Sequence, residues 1–237
     1  RTLRSPVQAR DTGVDALVVA RPGGAPWDLF DGARVARAWY ERQVVIPHNW
    51  KGRAISLRFD RVYRSFGRLR VLRGVSGAVA AGEALLVTGS NGSGKSTLLR
   101  CLAGLMVPQE GTITCRVDGE LLDIAERRRA VGYVAPEVDF YRELSTGENL
   151  DFYCRLRGAD AANGRALLDR LGLPQDRAAG ALSSGMKQRL RWAAAVVHRP
   201  PILLLDEPLQ NLDAPGRRDV GGLLERHLET GLAVIAN

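Results

Sequence analysis

The sequence predicts an α/β fold organised around a parallel sheet. Three observations carry that prediction. The apolar run Ala84–Thr88 leads straight into a glycine-rich stretch and then a helix-like segment. The run Ile202–Leu205 is apolar throughout and ends in two acids, as a central parallel strand covered on both faces does. Around these two runs, strand-like and helix-like segments alternate, with a helical insertion in the middle of the chain.

Taken in order, residues 1–54 yield little. "RPGGAP" (21–26) reads as a turn, and "ARVARAWYERQVVI" (33–46) as a helix or as nothing stable. The segment is left as a linker, a remnant of an upstream domain, or mistranslated upstream sequence. From Ile55 the pattern sharpens. Ile55, Leu57 and Phe59 alternate, followed by Val62 and Tyr63, which predicts a strand with one buried face. "LRVLRGVSGAV" and "EALLVTG" read as two more strands, parted by the Ala81-Gly82-Glu83 turn. A helix is predicted from Lys95 through "STLLRCLAGL". "GTITCRVDG" reads as a strand closed by an Asp-Gly turn, and "AVGYVAPE" as a strand closed by a proline. Ser145 with Glu148 three residues on is a capping-box signature, and Leu150, Phe152, Tyr153 and Leu156 continue along a helix. "NGRALLDRLGL" and "SSGMKQRLRWAAAVVHRP" predict two further helices, the second stopped by Pro200. "PILLLDEP" and the final "AVI" read as buried strands.

Composition bounds the rest. A chain of 237 residues, 45% hydrophobic, builds one large α/β domain or two small ones. No apolar run approaches the roughly 18 residues that a membrane-spanning helix needs. Arg1 opens the chain without a charged-then-apolar leader, and its standing where an initiator Met is expected reads as a fragment. Cys101, Cys115 and Cys154 lie far apart, as free buried thiols in a reduced compartment do. His48, His198 and His227 show no metal-ligand spacing. The net charge of +8 raises a nucleic-acid reading. Its distribution argues against one: residues 1–74 carry a net +9 and residues 75–237 a net −1. Only Lys51, Lys95 and Lys187 are lysines, so the arginine excess reads as a coding bias as readily as a polyanion surface.

The chemistry sits in three short motifs. Gly89, Ser90, Asn91, Gly92, Ser93, Gly94, Lys95, Ser96 and Thr97 fit the strand, G-x-x-x-x-G-K-[ST], helix pattern of a phosphate-binding loop. Glycines allow positive φ, and the successive N–H groups form an anion nest. The helix that follows aims its positive end at the same anion. Lys95 adds a full charge for the β- and γ-phosphates, and Ser96 a hydroxyl for Mg²⁺. Asp206 and Glu207 fall at the carboxyl end of a central strand, where ligands of parallel sheets bind. There Asp206 suits a divalent cation on ATP, and Glu207 suits the polarisation of an attacking water. "ALSSGMKQRL" (181–190) places Ser-Ser-Gly at a helix N-terminus, which is an anion site in principle and a plain cap by Ser183 or Ser184 in the simpler reading.

The order and spacing of the three resemble the ATP-binding-cassette (ABC) ATPase family, over residues 55–237. "GSNGSGKST" resembles its Walker A motif, "LSSGMKQR" its LSGGQ-type signature, "ILLLDEP" its Walker B motif with the catalytic glutamate, and "NLD" its D-loop, which includes Asp213. "LSTGENL" is similar to the segment after the Q-loop. "YRSFG" is similar to the A-loop, with Phe66 in the adenine-stacking position and Tyr63 as second choice. The signature form and the Q-loop region are most similar to ABC-2 type and haem-exporter-like (cytochrome c biogenesis) ATPases.

The resemblance implies a RecA-like P-loop NTPase core, an antiparallel β subdomain and a helical subdomain over about 138–182. It implies ATP and Mg²⁺ as ligands, with Ser96, Asp206 and Glu137 on the metal. Lys95, Asp206 and Glu207 are the implied catalytic residues. Two domains would close head-to-tail, so that Ser183, Ser184 and Gly185 serve the nucleotide of a second ABC ATPase domain. A separate transmembrane permease is the implied partner, with the chain cytoplasmic and peripheral on the inner face of the cell membrane, and no nucleic acid is expected. Phe140, Tyr141 and Arg142, with Phe152, Tyr153 and Arg155, read as the exposed cluster facing that permease, although packing within the helical subdomain is the simpler reading for Phe152 and Tyr153. Two departures stand out. The Q-loop glutamine is absent, with Pro136 or Glu137 in its place. The chain stops at Asn237, at or just before the switch histidine, an expectation of C-terminal truncation. The alternative is a soluble ABC ATPase of DNA repair, translation or Fe–S assembly. The 88 residues from Lys95 to Ser183 hold no coiled-coil heptads, and only one cassette is present, which weighs against the first two.

Overall fold

The computed structural model describes residues 16–20 and 54–237. Its elements are β1 (Ala16–Ala20), β2 (Ile55–Phe66), β3 (Leu69–Ala80), β4 (Ala84–Thr88), α1 (Lys95–Leu102), β5 (Glu110–Val117), β6 (Glu120–Leu121), α2 (Ile124–Ala130), β7 (Val131–Val134), α3 (Thr146–Arg157), α4 (Ala161–Arg170), α5 (Ser184–Val196), β8 (Ile202–Asp206), α6 (Ala214–Leu228) and β9 (Leu232–Ala236). One sheet has the order β1-β4-β9-β8-β7, and the other β3-β2-β5-β6. In the first, β4, β9, β8 and β7 run parallel, and β1 pairs antiparallel with β4 at the edge, Val18 opposite Leu86. The second is antiparallel throughout. The expected parallel core and antiparallel β unit are therefore both present.

Each face of the parallel sheet has its own core. Side chains alternate across a strand, so β8 sends Ile202 and Leu204 to one side and Leu203 and Leu205 to the other. The first pair joins α1 and the antiparallel sheet through Leu98, Leu102, Phe59 and Val75. The second joins the helical half through Leu168, Leu190, Trp192 and Leu224. All five residues of β8 are buried, which is why its sequence shows no polar alternation.

Local signals set the helix ends. Ser145 caps α3 by accepting from the Glu148 N–H, while Glu148 accepts from the Ser145 N–H. The Asp-Gly turn forms with Asp118 at φ 54° and Gly119 at φ 89°, and it returns the chain into β6. The sequence reading assigns no strand to 16–20, where β1 appears, and it passes over α2 and α6. The last two are signalled by their caps: Asp123 and Glu126 form a second capping box, and Asp213 caps α6 ahead of Pro215. The helix expected over 33–46 and the turn over 21–26 lie outside the described residues.

The three cysteines are buried and free, as expected. Burial pushes the Cys115 thiol up to about 11 and also raises Cys101 and Cys154. Thiolate is the reactive form, so native protein at pH 8 is expected to react with a disulfide reagent at Cys115 about a hundredfold slower, or more, than an ordinary cysteine. All three should react promptly in denaturant. Fast stoichiometric labelling of the native chain would overturn this.

Candidate nucleotide and catalytic site

Three strand ends and two helix starts bring the motifs together. β4 delivers the glycine-rich loop, and α1 begins at Lys95 with Gly94 as its cap at φ 101°. A side chain at Gly94 would collide with Val71 at 2.8 Å, so the loop packs directly on β3. Gly92 is also left-handed at φ 81°, but with open space around it. Lys95 is buried, and its ammonium donates to the carbonyls of Gly89 at 2.6 Å and Ser90 at 3.0 Å. The Ser93 hydroxyl is buried with no hydrogen-bond partner. A nest of backbone donors with a lysine at its centre and an orphaned hydroxyl fits a triphosphate.

At the end of β8, Asp206 is 3% exposed and hydrogen-bonds Ser96 of α1. Burial raises its carboxyl above the usual value. The Ser96 hydrogen bond opposes that, and the neighbouring Glu137 and Glu207 carboxylates reinforce it. A cation bound there would relieve the same strain. Among the described residues, no group of three or more His, Cys, Asp or Glu could hold a metal. Ser96 and Asp206, hydrogen-bonded to each other, offer a hydroxyl and a carboxylate oxygen, donors that suit a hard cation carried in on phosphate oxygens.

Glu207 follows with φ 47°. Its N–H donates to Ala236 of β9 at 2.9 Å, and its carboxylate accepts from the Gln210 amide at 2.6 Å. Sequence reasoning passed over Gln210, because nothing but its spacing of three from Glu207 marks it.

Glu137 takes a different place from the one expected of a free metal ligand. Its carboxylate is paired with Arg100 at 2.9 Å and accepts from the Tyr133 hydroxyl at 3.1 Å. Burial works against its ionisation, but a backbone hydrogen bond and Arg100 outweigh it and hold the carboxyl below the usual value. Pro136, the other candidate for the missing glutamine, offers only its carbonyl, which accepts from Arg191 at 3.0 Å.

Ser183 caps α5 through the Met186 N–H at 3.2 Å, and Ser183 and Ser184 are both exposed. A side chain at Gly185 would lie 2.8 Å from the Asn211 carbonyl, so the signature and the D-loop segment touch within one chain. Asp213 accepts from Gly216 as the cap of α6 and lies 3.9 Å from Arg189. Phe66 is exposed at the end of β2, with the Arg64 guanidinium 5.2 Å from its ring centre. Tyr63 instead packs over Gly74, which leaves Phe66 the freer ring. Of the aromatic cluster, Tyr141 and Phe152 are exposed and meet edge-on at 5.5 Å. Phe140 corrects the expectation: it is buried, edge-on to Tyr153 at 5.9 Å.

Comparison with known proteins agrees with this geometry. Residues 72–210 match the family described as ABC transporter. The chain is 39% identical to the cytochrome c biogenesis ATP-binding export protein CcmA of Rhizobium meliloti (strain 1021), over 70% of this chain and 82% of that protein. It is 36% identical to the Nod factor export ATP-binding protein I of Paraburkholderia xenovorans (strain LB400), over 76% of this chain and 61% of that one. Among solved structures, "Structure of ATP binding subunit of ABC transporter" superposes with a TM-score of 0.67 at 25% identity, covering 76% of this chain and 79% of that one. The chain belongs to the ABC transporter family, as an ABC-type ATPase that forms the ATP-binding subunit of a transporter.

Proposed function

We propose that this subunit, with its ABC ATPase domain over 55–237 and its helical subdomain over about 138–182, hydrolyses ATP in a head-to-tail pair with a second ABC domain and drives a separate transmembrane permease. One observation carries the reading: the phosphate loop, Asp206 and Glu207 converge at the ends of β4 and β8, while Ser183 and Ser184 are exposed at the positive end of α5. That end is free to meet the γ-phosphate held by another subunit. Phe66 would stack on the adenine, Lys95 and the N–H groups of 89–97 would hold the phosphates, and Ser96 with Asp206 would hold Mg²⁺. The ion supplies charge neutralisation between the phosphate oxygens. Glu207 then takes the proton of the attacking water. Glu137, tied to Arg100 and Tyr133, is better suited to hold the loop beside the metal than to ligate it directly.

Among the described residues, no helix is long and apolar enough to cross a membrane. A permease must therefore be met at a surface, and the reading places the chain in the cytoplasm, on the inner face of the cell membrane. Tyr141, Phe152 and Leu156 are exposed, and a groove of about 470 Å³ runs nearby between Leu105, Tyr133, Leu156 and Arg157. Aromatic and arginine side chains are enriched in interface cores. Tyr141→Ala combined with Arg142→Glu is expected to weaken recruitment to membranes carrying the permease about tenfold, with ATP binding unchanged. Co-sedimentation reads this out. Undiminished recruitment would remove the loop from the interface, and capture by DNA or ribosomes instead would move the chain to the soluble class.

A further inference from the structure

Helix α5 carries more than the signature at its start. Gln188, 1% exposed, donates its amide to the carbonyls of Glu207 at 3.2 Å and Pro208 at 3.0 Å. Trp192, one turn on and also 1% exposed, donates its indole N–H to the same Pro208 carbonyl at 2.9 Å. Arg191 reaches in the other direction. Its Nε donates to the Val138 carbonyl at 2.7 Å and its Nη2 to the Pro136 carbonyl at 3.0 Å. Its Nη1 donates to the Gln188 side-chain oxygen at 3.1 Å.

These bonds form one unbroken chain. It begins in the loop that leaves β7, where the family's glutamine is replaced, and it ends at the backbone of Glu207. Glu207 sits at φ 47°, a conformation that side-chain-bearing residues rarely adopt and that holds only where neighbours fix it on several sides. Its N–H is fixed by Ala236, and its carbonyl accepts both from the Gln188 amide at 3.2 Å and from the Gln210 N–H at 3.1 Å. Gln188 in turn is oriented by Arg191: with its oxygen accepting from the guanidinium, its NH₂ group must point at the two carbonyls. The planar guanidinium fork meets three acceptors at once, which an ammonium on a flexible stem does not. None of the three is a carboxylate, so Arg191 forms no ion pair through these bonds. Its geometry serves to hold carbonyls in place.

We infer that Arg191 is a positioning residue, which through Gln188 ties the Pro136–Val138 loop to the backbone of the catalytic Glu207, so that moving the loop moves the carboxylate. The inference rests on Glu207 being the base. It supplies a route by which a partner pressing on the loop could alter hydrolysis in a chain that lacks the usual glutamine.

The test uses the full chain as Arg191→Met, Arg191→Lys, Gln188→Ala and the Met/Ala double variant. For Arg191→Met, the dissociation constant for ATP should stay within about twofold and the turnover number should fall at least tenfold. Arg191→Lys should recover part of that loss. The double variant should lose no more than the worse single, because the two side chains act as one unit. Amide exchange by mass spectrometry should quicken together at 137–140 and 209–212, with α1 and β4 unchanged. Losses that multiply in the double variant, or faster exchange at 137–140 with 209–212 untouched, would overturn the link. Exchange rising across the whole chain in both the Met and Lys variants would make Arg191 a general stabiliser and overturn it equally. If Glu207→Gln turned over normally while the two segments still loosened together, the assignment of the base would fall and the mechanical link would stand.

Discussion

Lys95→Ala is expected to abolish ATP binding, weakening it at least a hundredfold. The loop around it offers backbone N–H groups and the positive end of α1, each a partial charge. Lys95 is the residue of the loop that brings a full one, and it lies buried against the loop's own backbone. A charge-assisted hydrogen bond is worth about 1.5–3 kcal/mol, and an ammonium facing a triphosphate makes more than one. The variant also removes the two bonds by which the ammonium draws the Gly89 and Ser90 carbonyls inward. Both carbonyls would then face the phosphates without a cation between them. The fold should survive, because the core on either side of the sheet is independent of this side chain. Fluorescence titration with a labelled nucleotide reads the result, and near-normal affinity would sink the assignment of the loop.

What the sequence made legible was local chemistry. The phosphate loop, the capping box at Ser145 and the apolar strand ending in Asp206 are each written within ten residues, because backbone conformation and strand burial impose their own spacing. What stayed hidden was brought together from afar. The pairing of β1 with β4 joins residues some seventy positions apart, and nothing in "ALVVA" names its partner. Glu137 reads in sequence as a metal ligand in place of the missing glutamine, whereas Arg100, thirty-seven residues earlier, is what its carboxylate meets. Phe140 and Tyr141 are neighbours in sequence and opposites in burial, since the loop sends one ring into the helical core and the other to solvent. Gln188 and Arg191 read in sequence only as part of the helix that follows the signature-like stretch. The meaning of the pair appears only when β8 and the loop after β7 arrive on either side of it.

Glu207→Gln should keep ATP binding and reduce turnover at least a hundredfold. General-base assistance is worth about 10²–10⁴ in rate, and an amide of the same shape cannot accept the proton of water. The substitution leaves the surroundings nearly intact. The backbone remains fixed by Ala236 and Gln188, and Gln210 still finds an oxygen to donate to. The loop at 89–97 is untouched, so affinity for ATP should match the parent. With hydrolysis stopped, the exposed Ser183–Ser184 end of α5 should stay closed on the nucleotide of a second copy, and the variant with ATP should elute as a dimer in size-exclusion chromatography where the parent returns to monomer. The two measurements separate the possible roles of the residue. Turnover at the parental rate would show that Glu207 is not the base. Loss of affinity in step with turnover would make it a binding residue instead. Slow turnover without a dimer would leave the base in place and remove the head-to-tail pairing, because a stalled site that fails to hold its partner is not built across two chains.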